Sequence, residues 1–140
     1  MKQQKEMRIA VIAHDNKKAD MVAFMMKRLE FFKSVDLVAT GTTGEHIQHA
    51  GLKVERKMSG PKGGDAQIAA DIVNGQIDGV IFFVDPLSSH PHEVDVLMLI
   101  RICNVYNVPI ATNYATASLL VQATQNSLNK QSIKINEQRS

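Results

Sequence analysis

A chain of 140 residues with 16 lysine and arginine against 14 aspartate and glutamate has the length of one domain and a net charge of only +2. Near-neutrality, no tryptophan and 5% aromatic residues exclude the clustered cations and stacking rings of a nucleic-acid groove. Apolar runs such as 80–84 fall far short of the ~20 residues that cross a bilayer, 9–13 is too short for a signal-peptide core, and the lone Cys103 suits a reducing cytoplasm.

Residues 8–13 (RIAVIA) open the chain as an almost uninterrupted apolar run, the mark of a central parallel strand covered on both faces. Helical spacing follows over 18–32, where Met21, Met25, Leu29 and Phe32 form one stripe. Residues 35–40 read as a second strand and 45–50 as a short helix closed by Gly51. The alternating segment 52–57, with Leu52, Val54 and Arg56 on one face, predicts an edge strand. A helix over 65–73 ending near Gly75 leads to the apolar strand 79–84. A helix over 93–106 then carries Val96, Leu99, Ile100 and Cys103 on one side. Strand 108–112 and a last helix over 115–122 complete a core of about 8–122, and the polar stretch 123–140 reads as a tail of the same single domain.

Five strands alternating with helices predict an α/β fold, a doubly wound parallel sheet with helices on both faces. Such sheets bind ligands beyond the carboxyl ends of their strands, where the strand order reverses. The chemically capable residues cluster in those loops. His14-Asp15 follow the first strand, Gly41-Thr42-Thr43-Gly44 the second, Ser59 to Asp65 the third, Asp85-Pro86 and then His90 and His92 the fourth, and Asn113 the fifth.

Thr40-Gly41-Thr42-Thr43-Gly44 is either a phosphate seat of helix N-terminal N–H groups and hydroxyls or a plain turn with a threonine cap. A second glycine-rich, hydroxyl-bearing loop at 59–65 favours the seat, and neither loop ends as a Walker motif does. Asp65, after Gly63-Gly64, reads as a helix cap or as a carboxylate base approached closely over glycine. Lys18 is a solvated lysine in isolation and a phosphate or carbonyl clamp beside such a seat. His90, His92, Glu93 and Asp95 with His14 and Asp15 offer metal-ligand chemistry without a recognised ligand spacing, so no metal is expected. His46 and His49 read as a solvated helix face, Cys103 as core, and Met21, Met25 and Met26 as packing or subunit interface.

The runs Ala13-His14-Asp15, Ala39 to Gly44, Ser59-Gly60-Pro61-x-Gly63-Gly64-Asp65, Phe82-Phe83-x-Asp85-Pro86-Leu87 and Pro91-His92-x-x-Asp95 resemble, in order, those of the methylglyoxal synthase family. The resemblance spans about 8–122. It implies a homohexameric carbon–oxygen lyase that converts dihydroxyacetone phosphate to methylglyoxal and inorganic phosphate without metal or organic cofactor, phosphate being product and inhibitor. Asp65 is then the base and His92 the electrophile and proton shuttle. His14, Lys18, Thr40, Gly41, Thr42, Thr43, Ser59 and Gly60 form the substrate shell, and Asp15, Asp85 and Asp95 are supporting carboxylates. The alternative is a non-catalytic effector-binding module of the same fold, which needs neither Asp65 nor His92; a metal-dependent phosphatase is a third reading. Two departures stand out. The histidine loop reads Pro-His-Glu-Val-Asp where the family usually has Pro-His-Asp-Pro-Asp, and the tail holds Arg139 as its one arginine and no tyrosine, where many relatives carry a longer basic, tyrosine-containing end.

Overall fold

In a computed structural model that describes residues 6–87 and 93–139, five strands pair in parallel in the order β3-β2-β1-β4-β5. In chain order the elements are β1 (Arg8–Ala13), α1 (Lys18–Met26), α2 (Leu29–Lys33), β2 (Asp36–Ala39), α3 (Gly41–His49) and β3 (Glu55–Arg56). After them come α4 (Gly64–Val73), β4 (Gly79–Phe83), α5 (Glu93–Val105), β5 (Ile110–Ala111) and α6 (Tyr114–Arg139). Short 3₁₀ turns at Asp15–Lys17 and Gly60–Lys62 precede α1 and α4.

The expected doubly wound α/β sheet is therefore the observed one, and its composition explains it. Because neighbouring strand residues point to opposite faces, Ile9, Val11 and Ala13 of β1 join one core while Ala10 and Ile12 join the other. In β4, Ile81 and Phe83 divide in the same way from Val80 and Phe82. Met21, Phe24 and Met25 of α1, Phe31 and Phe32 of α2, Ile47 of α3, and Ala117 and Val121 of α6 cover the first face. Ile68, Ala69 and Ile72 of α4 with Leu99 and Cys103 of α5 cover the second. Burial among these side chains pushes the Cys103 thiol up to about 11, so it packs as a small apolar group.

Four differences from the boundaries read off the sequence bear on the core and the site, and β5 also pairs only at Ile110–Ala111 of the expected 108–112. The stripe expected as one helix breaks at Arg28 (φ −127, ψ 36). The Phe24 carbonyl, which a continuous helix would pair with the Arg28 N–H, accepts the Arg28 guanidinium instead, and that group also lies over the Phe24 ring and donates to Ser118 Oγ. The third strand pairs only at Glu55–Arg56, because the Leu52 N–H is still donated to the Ile47 carbonyl at the end of α3. α3 begins at Gly41, so the Thr-Gly-Thr-Thr-Gly cluster is its first turn rather than a loop before it. α6 runs on to Arg139 instead of stopping near Gln122: no glycine or proline interrupts it, and Leu128, seven residues past Val121, returns to the same core.

Candidate active site

The strand order places the switch point between β1 and β4, since the chain winds outward from β1 to β3 and then crosses back to β4. A cavity of about 490 Å³ lies at the carboxyl edge there. Of the residues singled out from the sequence, His14, Asp15, Lys18, Thr40, Thr42, Ser59, Gly60, Asp65 and Asp85 all line it. Gly41 and Thr43 stand behind its wall. Thr43 is buried with its hydroxyl 3.4 Å from that of Thr40, and the Gly41 Cα faces the backbone of 57–59. His92 lies outside the described residues, as do His90 and the side chain of Asp95.

The two glycine-rich loops form one unit. The Gly41 N–H donates to the Met58 carbonyl at 3.0 Å, and the Lys57 N–H to the Ala39 carbonyl at 2.7 Å. The Gln67 carboxamide oxygen of α4 accepts the Met58 N–H at 2.8 Å. Gly64 is required where α4 meets this segment, because a Cβ there would stand 1.9 Å from the Met58 oxygen. Thr40 is the residue before α3 in extended conformation, so the first turn of α3 opens on the cavity side with N–H groups that have no partner within the helix. That end of a helix favours an anion.

Asp65 sits in the first turn of α4, 6% exposed, with Gly63 (φ +104) rather than Asp65 as the capping residue. The cap position of α4 is thus taken by Gly63 in the left-handed conformation, and Asp65 lies inside the helix, at the cavity wall. Both carboxylate oxygens lie 3.5 Å from the point where a Gly60 side chain would begin, so the bare Cα of Gly60 leaves the approach to Asp65 open.

Lys18 reaches the cavity with a side chain 14% exposed and donates to Asp15 Oδ1 at 2.5 Å, a carboxylate whose own side chain is 94% exposed. Because the Asp15 carboxylate stays in water, the pair holds the partly buried ammonium only weakly, and an incoming phosphate competes for it. The His14 ring stands edge-on to Phe82 at 5.2 Å. Its Nδ1 accepts the Asp85 backbone N–H at 2.8 Å, which assigns the hydrogen to Nε2. Hydrogen bonds from Asn16 and from the Leu87 N–H, with Lys17 and His14 nearby, hold the Asp85 carboxyl below the usual carboxylate range against a smaller opposing effect of burial. Asn16 is a cavity residue that the motif spacing did not single out; the signal was its carboxamide one residue past Asp15.

Chemically, the cavity joins an anion seat, a cation, a histidine N–H donor and a buried carboxylate, the parts needed to take a proton from a phosphorylated substrate and to accept phosphate as a leaving group. Among the described residues no three histidine, cysteine or carboxylate side chains converge as a metal cluster requires.

Comparison with known proteins is consistent with that inventory. The model of the MGS-like domain family matches residues 16–112. The methylglyoxal synthase of Carboxydothermus hydrogenoformans is 52% identical over 118 residues, covering 84% of this chain and 98% of its own length. That of Bacillus subtilis is 55% identical over 117 residues, covering 83% and 85%. The crystal structure of methylglyoxal synthase from Elizabethkingia anophelis superposes with a TM-score of 0.79 at 45% identity, over 83% of this chain and 77% of that one.

Proposed function

From the premise that this chain belongs to the methylglyoxal synthase family, we propose that it is a lyase converting dihydroxyacetone phosphate to methylglyoxal and inorganic phosphate in the cavity at the switch point. The observation that carries the reading is the buried Asp65 carboxylate beside Gly60, in one cavity with the start of α3 and Lys18.

Asp65 takes the proton from the carbon bearing the free hydroxyl, and the electron pair moves to the carbonyl oxygen to give an enediolate. A carboxylate alone is a weak base for such a proton, so donors must meet the oxygens as charge develops on them. His14 Nε2–H is one such donor, and His92 is assigned the proton exchange between the two oxygens. The enediolate electrons then expel phosphate from the neighbouring carbon, and the enol that remains tautomerises to methylglyoxal, losing its hydroxyl proton as the methylene carbon gains one. The first turn of α3, Thr40, Thr42, Ser59 and Lys18 stabilise charge on the departing phosphate. An effector-binding module has no use for a carboxylate buried at the cavity wall, whereas elimination requires one.

The finer reading is a homohexameric, cytoplasmic enzyme inhibited by inorganic phosphate and needing no metal; no helix among the described residues is long and apolar enough to cross a membrane. The test is incubation with dihydroxyacetone phosphate in the presence of a chelator, following methylglyoxal and phosphate separately. Equimolar release of both is expected. Phosphate without methylglyoxal would make the protein a phosphatase, and neither product would make it a binding module.

A further inference from the structure

Three hydrogen bonds join the loop after β1 to β4 and the loop that follows it. The His14 N–H donates to the Phe83 carbonyl at 3.1 Å, the Asp85 N–H to His14 Nδ1 at 2.8 Å, and the Asn16 carboxamide to Asp85 Oδ2 at 3.1 Å. We propose that Asn16 is a positioning residue for the reaction: it ties Asp85 across the crevice and so holds His14 in the tautomer that presents Nε2–H. The inference rests on the proposed function in taking His14 as a donor to the substrate.

A neutral imidazole has two tautomers, and the one adopted is set by what bonds the other nitrogen. Here that partner is a main-chain N–H, and it holds the ring only as firmly as its own loop is held. Asp85 Oδ1 accepts the Leu87 N–H at 3.0 Å, a bond internal to the loop that does not restrain it toward β1. Asp85 Oδ2 is bonded across the crevice to Asn16. Asn16 lies in the 3₁₀ turn Asp15–Lys17, which is closed by the Lys17 N–H on the His14 carbonyl at 2.8 Å. Carboxamide and imidazole are therefore carried by one short rigid turn, and the His14–Asp85–Asn16 circuit fixes the Asp85 N–H relative to the ring it must meet. The hydrogen bond from Asn16 is also the largest of the influences that keep Asp85 ionised, and a charged acceptor strengthens the tie. A carboxamide gives this donor without adding charge beside the phosphate seat.

The experiment compares Asn16→Ala, Asn16→Asp and Asn16→His with the unaltered chain by steady-state kinetics and by ¹⁵N NMR of protein labelled in histidine. Asn16→Ala is expected to lower kcat by about tenfold with KM for dihydroxyacetone phosphate within about twofold, because orientation of a reacting group is lost rather than a binding contact. Asn16→Asp keeps the shape but sets two carboxylates together, so its loss is larger. Asn16→His restores most of kcat, since its Nδ1–H occupies the place of the carboxamide donor. The His14 imidazole signals, recorded without substrate, change from one Nε2–H form to an averaged pair in the alanine variant. A kcat within about twofold of the unaltered chain for both alanine and aspartate variants, or an unaltered His14 tautomer in Asn16→Ala, overturns the proposal. Failure of the unaltered chain to turn over the substrate would instead overturn the proposed function, while the NMR arm would still decide the role of Asn16.

Discussion

Replacing Gly64 with alanine strikes the joint between the two walls of the cavity. The added methyl would stand 1.9 Å from the Met58 oxygen and 2.9 Å from its carbonyl carbon, so α4 and the 58–59 backbone must part by roughly 1.5 Å to reach van der Waals distance. Two hydrogen bonds run through that joint, from the Gly64 N–H to the Ser59 carbonyl at 2.9 Å and from the Gly41 N–H to the Met58 carbonyl at 3.0 Å. Overpacking of about 1–3 kcal/mol, with about 1 kcal/mol for a weakened hydrogen bond, sums to about 2–4 kcal/mol. For a domain of this size that lowers Tm by roughly 10 °C. Since Ser59 and Gly60 move with the wall, kcat/KM for dihydroxyacetone phosphate should fall by about 10²-fold below the melting transition. Gly51→Ala is the control: φ is +98 with nothing within 4 Å, so it costs about 1–2 kcal/mol of backbone strain and leaves kcat/KM unaltered. A Gly64→Ala protein that melts within about 2 °C of the unaltered chain with the same kcat/KM would show that the α4–Met58 packing does not shape the site.

Asp65→Asn keeps the size of the side chain and removes the base, so kcat should fall by roughly 10³-fold or more with the fold retained; more than about a tenth of the original kcat would reduce Asp65 to a structural role. Lys18→Ala and Thr42→Ala should each weaken binding of substrate and of free phosphate together, by about 1–3 kcal/mol in calorimetry, and unchanged phosphate affinity in both would move the seat elsewhere. Free phosphate should compete with substrate and raise thermal stability by about 2.7 kcal/mol at a hundredfold excess over Kd, an effect that chloride at equal ionic strength should not reproduce. The depressed Asp85 carboxyl contributes stability that is present above the ordinary carboxylate range and lost as pH falls through its folded value. The Tm difference between the unaltered chain and Asp85→Asn should therefore shrink on acidification, and a difference constant with pH would contradict the pairing with Asn16 and Leu87.

Much of this architecture is local in origin and therefore legible in the chain. The apolar runs of β1 and β4 announce central strands because both their faces are covered, and Gly51 and Gly75 mark helix ends because they take positive φ. The glycine- and hydroxyl-rich loops stand out because a seat for an anion needs small residues and N–H groups at a helix start. Other features depend on partners distant in sequence. The break at Arg28 follows from Phe24 and Ser118 taking its guanidinium, and the shortness of β3 from the tie of Leu52 to Ile47. Local sequence leaves Asp65 open between helix cap and carboxylate base, and the left-handed Gly63 at the cap position, with Gly60 close to the carboxylate, decides between them. The meaning of Asn16 lies in Asp85, 69 positions away, and no local pattern marks it. Spacing along the chain determined which residues had the chemistry; the pairing order β3-β2-β1-β4-β5 decided which of them meet, because parallel strands bring together loops that the sequence keeps far apart.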